Sequence, residues 1–176
     1  FKKLWKDIAQ VLKNKQIWIN GLIGVFIMLP TTVFAELWGR LFLKTAYGFD
    51  ANTAVQATSM IFLGWAVGGP LAGFVSDTLK NRKIPLVLGA LLGGILMLLL
   101  IYGPILSTTM VFALLFLFGV VSSVEIICFA VAKENSPDLV AGTAVAITNF
   151  IVVLAGPVQW LTGKLLDISR SDAVDV

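Results

Sequence analysis

The chain has 176 residues, 58% of them hydrophobic and 13% charged, against about 45–50% and about 25% in soluble domains. That composition excludes a disordered chain, a coiled coil and a nucleic-acid-binding module, and it argues against an ordinary soluble globule. One cysteine excludes a disulfide framework, the lack of histidine argues against the usual zinc or haem sites, and the net charge of +3 matters through its placement.

Residues 1–15 carry five lysines and one acid. Leu4, Trp5, Ile8, Val11 and Leu12 recur at helical spacing. This predicts a basic amphipathic helix on the inner leaflet, its lysines toward anionic headgroups. It has no apolar signal-peptide core, and Phe1 in place of Met suggests a piece of a longer chain.

Uncharged gaps set the organisation after that. They run 20 residues from Lys15 to Glu36, 26 from Asp50 to Asp77, 41 from Lys83 to Glu125 and 25 from Asp138 to Lys164. The long gap breaks near Gly103–Pro104. A helix needs about 20 mostly apolar residues to cross a bilayer. Five membrane helices follow, at about 16–44, 53–76, 84–102, 108–132 and 139–166. Together they fill a unit of 16–167, with 168–176 as a truncated periplasmic tail. Period-two alternation is absent, which argues against a membrane β-barrel.

Lysine and arginine in short loops orient such a bundle. With the N-terminus cytoplasmic, nine fall inside and four outside. The expected location is therefore a bacterial inner membrane with the N-terminus inside.

The spans differ in character. Residues 84–102 are almost wholly Leu, Ile, Val, Gly and Ala, which predicts a lipid-facing helix with contact points at Gly89, Gly93 and Gly94. The other four carry polar residues or helix breakers, which predicts a bundle around a hydrated cavity. Candidate lining residues are Asn20, Thr31, Thr32, Gln56, Asn149 and Gln159. Asn20, Gly24, Thr31 and Ala35 fall near one face of the first span. Pro30 removes a backbone donor mid-span and predicts a kink. Gly156–Pro157 interrupts the fifth span.

Glu125 is the sharpest signal. It lies about eight residues from Lys133, or about 12 Å into the membrane at 1.5 Å per residue. A charge there is costly unless neutralised, paired or hydrated. A carboxyl so placed can bind and release a proton or pair with a cationic substrate; a structural ion pair or hydrogen bond is the alternative. Glu36 and Arg40 stand four apart beside Trp38. They read as a surface pair or as an outer gate. Cys128 reads as a small apolar residue. No catalytic cluster is present, so no enzyme activity, cofactor or metal is expected.

Two loops carry a family likeness. The first runs Gly73-Phe74-Val75-Ser76-Asp77-Thr78-Leu79-Lys80-Asn81-Arg82-Lys83. It resembles the cytoplasmic signature loop of the major facilitator superfamily, G-x-x-x-D-R-x-G-R-R/K, matching at Gly73, Asp77 and Arg82. The second runs from Glu134 through Pro137 to Gly142-Thr143-Ala144. It resembles the family's E-x-x-P-x-x-x-R-G-T-A segment, with Ala141 at the Arg position.

The resemblance implies an all-α integral membrane fold: helices seven to eleven of a twelve-helix transporter, after a basic interfacial linker. It implies that Gly73, Asp77, Arg82 and Lys83 form a cytoplasmic gate, with Asp77 latched against a helix N-terminus of the other half. Secondary active transport of a small solute by alternating access is expected, with Glu125 as the proton or substrate site. A receptor or scaffold on the same fold is the alternative. The expected partners are a small-molecule substrate, the lipid bilayer, the N-terminal half and, through an uncovered apolar flank, a second copy of the fragment. No nucleic acid is expected.

Overall fold

The structure is a computed structural model. It describes residues 2–154 together with 156, 157, 160, 161, 163 and 164. The described residues are helical and form no strand. Four helical stretches are long and apolar enough to span a membrane: Lys15–Tyr47, Ala51–Leu79, Lys83–Tyr102 and Thr108–Glu134. A shorter apolar stretch, Asp138–Val153, covers the first part of the expected fifth span.

Helix α1 (Lys2–Leu12) precedes the spans. Its apolar residues divide. Val11 is buried against Ile17, Val140 and Ala144, whereas Trp5 and Leu12 stay exposed. Asn14 then caps α2 (Lys15–Thr31) by accepting from the Gln16 N–H. This satisfies a donor that the first turn leaves free.

The expected kink at Pro30 takes another form. Past Pro30 the chain widens into a π-helical stretch, Thr32–Trp38, and continues as α3 (Gly39–Tyr47). The Gly39 N–H donates to the Phe34 carbonyl, five residues back. A Cβ on Gly39 would collide with that carbonyl, so glycine is what permits the wide turn there. The Thr32 hydroxyl donates to the Leu29 carbonyl at 3.0 Å.

Asp50 caps α4 (Ala51–Thr78) by accepting from the Asn52 and Thr53 N–H groups. Helix α5 (Lys83–Tyr102) follows, then α6 (Thr108–Ser122), a 3-10 turn (Ser123–Ile126) and α7 (Ile127–Glu134). After a second 3-10 turn comes α8 (Ala141–Val153). It ends at Val153, whereas Gly156 and Pro157, the break expected in the fifth span, are themselves helical.

The closest packing is between α4 and α6. A Cβ on Gly64 would strike the Phe116 carbonyl, and one on Gly119 would strike the Ile61 carbonyl. The two backbones touch because neither glycine has a side chain, as small residues allow in membranes. Helix α5 covers the other side of α6, with Gly89 against Val121 and Val124 and Gly93 against Phe118. Gly94 meets nothing within 4 Å, unlike the expected contact point. Helix α2 packs on α7 and α8. Near the Tyr47 end, Phe34, Phe42, Tyr47 and Phe49 stack edge to face or tilted, with neighbouring ring centres 5.9–6.0 Å apart.

Candidate functional site

Local chemistry explains how Glu125 enters the interior. The Ser122 hydroxyl donates back to the Gly119 carbonyl at 3.3 Å, and that of Ser123 to Val120 at 2.7 Å. Such back-bonding competes with the helical ladder. The helix tightens here into the 3-10 turn that carries Glu125. Trp65 of α4 steadies the place by donating its indole N–H to the Ser122 hydroxyl at 2.9 Å.

Glu125 is 3% exposed. A Cβ placed on Gly24 of α2 would stand 3.5 Å from Glu125 Oε1, 3.7 Å from Cys128 Sγ and 2.7 Å from Val152 Cγ2 of α8. The carboxyl therefore sits where α2, α7 and α8 meet. Among the described residues Glu125 Oε1 has no hydrogen-bond partner, and neither do the buried hydroxyls of Thr31 and Thr148. The described residues contain no cluster of metal-ligating side chains. A carboxylate left unpaired in a dry interior costs several kcal/mol. The site therefore calls for a proton, a cation or a donor.

Asn20 is buried one helical turn from Gly24 and donates to the Cys128 carbonyl at 2.6 Å. That bond ties α2 to the first turn of α7. Asn20 also borders an open groove of about 450 Å³ between α2 and α5. Cys128 is buried among Ile27, Leu86, Val124 and Ile127.

The other candidates disperse. Thr31 is buried and Thr32 half-buried, whereas Gln56 and Asn149 lie exposed on α4 and α8. Gln159 lies outside the described residues. Asn20, Gly24, Thr31 and Ala35 are each buried in this bundle, Asn20 at the edge of the groove between α2 and α5. Thr148 is the residue that sequence reasoning left off its candidate set. It adjoins Asn149 on a helix with few polar residues, so no periodicity marks its face.

One guanidinium gathers the basic end. Arg82 Nη2 donates to Glu134 Oε1 at 2.6 Å, and Nε reaches both Glu134 oxygens at 3.1 and 3.3 Å. Its Nη1 donates to Asp77 Oδ1 at 2.5 Å and to the Ser76 hydroxyl at 2.9 Å. These two carboxylates hold the guanidinium well above its ordinary pKa, the Glu134 hydrogen bonds first. Gly73 and Lys83 flank this cluster without joining it, and Lys83 is exposed. At the other end Glu36 and Arg40 are both exposed, and no ion pair joins them among the described residues. The π-helical turn alters the angular spacing on which an i, i+4 pair depends.

Arg82 thus joins the two loops whose residues carried the family likeness. Residues 1–159 match the model of the Major Facilitator Superfamily. The chain belongs to this family. The "Membrane sensor protein UhpC" of Salmonella typhimurium is 31% identical over 90% of the chain, and that of Escherichia coli 29% over 89%. The "Probable galactarate/D-glucarate transporter GudP" of Escherichia coli is 26% identical over 89%. The chain spans 36% of the length of each of these relatives. No solved structure gives a significant match. Family and spans together make this an integral membrane segment of a transporter family, with bacterial relatives.

Proposed function

We propose that the chain is the second half of a secondary transporter that moves a small solute across a bacterial inner membrane by alternating access. The transport is proton-coupled, and Glu125 carries the proton. The observation that carries this reading is the buried Glu125 carboxyl with its unpartnered oxygen. Solute binds between this half and the rest of the protein, near the midplane. Asp77, with Arg82 beside it, forms the cytoplasmic latch, while Glu36 and Arg40 guard the outer mouth. Sugar diacids are the first solutes to test, since a relative bears their name.

The test uses the full-length parent in proteoliposomes on a solid-supported membrane. Galactarate, D-glucarate, sugar phosphates, amino acids and dipeptides are applied in pools at two pH values. A solute-triggered current lost in Glu125→Gln is the expected result. Equal currents in both proteins would reduce Glu125 to a structural role.

A receptor is the second reading, favoured by the sensor names of two relatives. A receptor binds its solute without passing it. Solute-dependent thermal stabilisation of the parent, with no uptake of the same radiolabelled solute, would select it.

A further inference from the structure

We propose that Glu125 occupies a closed proton pocket inside this half of the fold, shut by the seam between α2 and α8 and never touched by the solute, which deepens the transport reading above and rests on it. The described residues alone already leave Glu125 only 3% exposed. Whatever else the protein packs against them can only bury it further. A site for direct solute contact would face the space between halves. Glu125 instead faces Gly24, inside the bundle.

The seam closes because two residues of α2 lack side chains. A Cβ on Gly21 would lie 2.7 Å from Ile151 Cγ2, and one on Gly24 would lie 2.7 Å from Val152 Cγ2. Ile151 and Val152 fill the space those Cβ atoms would need. Thr148 stands one turn before Val152 on the same face of α8. It is 0% exposed, and its hydroxyl has no partner among the described residues. Residues one turn apart have Cβ atoms about 5–6 Å apart. The hydroxyl therefore lies on the side of α8 that meets Gly24, and in this pocket it serves as the donor to the ionised form. The charged residues of α2, α4, α5 and α7 are Lys15, Asp77, Lys83, Lys133 and Glu134, all near helix ends, and α8 has none. Cys128 is the titratable group beside Glu125. The step is a proton transfer. Hydronium gives its proton to a carboxylate oxygen, one O–H bond forms as another breaks, and water leaves. A seam this tight passes water and protons but no organic solute.

The test needs no solute. The full-length parent in proteoliposomes is treated with either dicyclohexylcarbodiimide, which enters membranes, or a water-soluble carbodiimide. Both react with protonated carboxyls, and peptide mass spectrometry reads the adduct at Glu125. The expected result is an adduct from the membrane-soluble reagent at acid pH, absent in Glu125→Gln, and none from the water-soluble one. Val152→Ala removes the closing side chain. It should let the water-soluble reagent form the adduct that it does not form in the parent. Gly93→Ala, away from the seam, should change nothing. Thr148→Val should let labelling persist to higher pH, because the ionised form loses its donor. Equal labelling by both reagents in the unmodified protein would put Glu125 in an open cavity and overturn the proposal. So would the absence of any adduct across the pH range, or a Val152→Ala protein that labels like its parent. A solute-triggered current unaffected by Glu125→Gln removes Glu125 from the coupling of transport by itself, since the labelling pattern is read without transport.

Discussion

Asp50 shows what one exposed carboxylate does at a helix start. It accepts from Thr53 through both the hydroxyl, at 2.6 Å, and the N–H, at 3.0 Å, and from the Asn52 N–H at 2.8 Å. These bonds, the Thr53 hydroxyl first, hold its pKa below the ordinary carboxylate value. A group with a lowered folded-state pKa adds stability above its unfolded pKa and loses it as pH falls through the folded one. Asp50→Ala should therefore lower the melting temperature of the parent at neutral pH. The gap should close once the pH is below the usual carboxylate range. A thermal-shift series across acid pH checks both parts. Glu125 was legible in the sequence because a lone acid in 41 uncharged neighbours on one side is conspicuous. Its surroundings were not legible. Hydropathy reports that a span is apolar, but the packing partner decides which of its faces turns inward. Gly24, Thr148 and Val152 declare themselves only once α2 and α8 are side by side.

Helices α4 and α6 meet at the contact of Gly64 with Gly119. Even one methyl on Gly119 would press on the Ile61 carbonyl and the Gly64 Cα. Backbone cannot move aside as a side-chain tip can. Gly119→Ala should cost about 3 kcal/mol, the upper part of the usual overpacking range. Gly93→Ala meets ordinary contact with the Phe118 ring at 3.6 Å and should stay within about 1 kcal/mol of the parent. Tryptophan-fluorescence melting of the full-length protein in detergent distinguishes the two. The long apolar helices lie in the charge-free gaps, α4 ending with its gap and α5 at the Gly103–Pro104 break. The π-helical stretch and the 3-10 turn were not readable. Both arise where side chains or proline redirect backbone hydrogen bonds, and neither changes the hydropathy of the segment. Pro30 pointed to the right place but not to the π-helical form of the turn.

Across the whole molecule the packing is crossed. The first span packs on the fifth through α2 and α8, and the second on the fourth through α4 and α6. The proposed sense of insertion rests on the lysines and arginines, and it is testable on intact cells. Ala46→Cys and Lys80→Cys both fall at exposed positions. An impermeant maleimide should label position 46 from outside and position 80 only after permeabilisation. The opposite pattern would invert the orientation proposed here. The loop likenesses were legible separately, on opposite sides of some 50 residues, but their union through Arg82 was not. Contact between distant loops is a product of the fold. The wide turn at Thr32–Trp38 has a last consequence, in register. Closing on the fifth residue instead of the fourth accommodates one residue more than an α-helical turn. The outer end of the first span, with Phe42 and Tyr47, is thereby rotated by about one residue's arc, roughly 100°, relative to an unbroken helix. The face that Gly24 shows to Glu125 and the face that Phe42 shows to Phe34 are thus set independently. Loss of one residue from this turn would restore the narrower winding while leaving the faces on either side in phase.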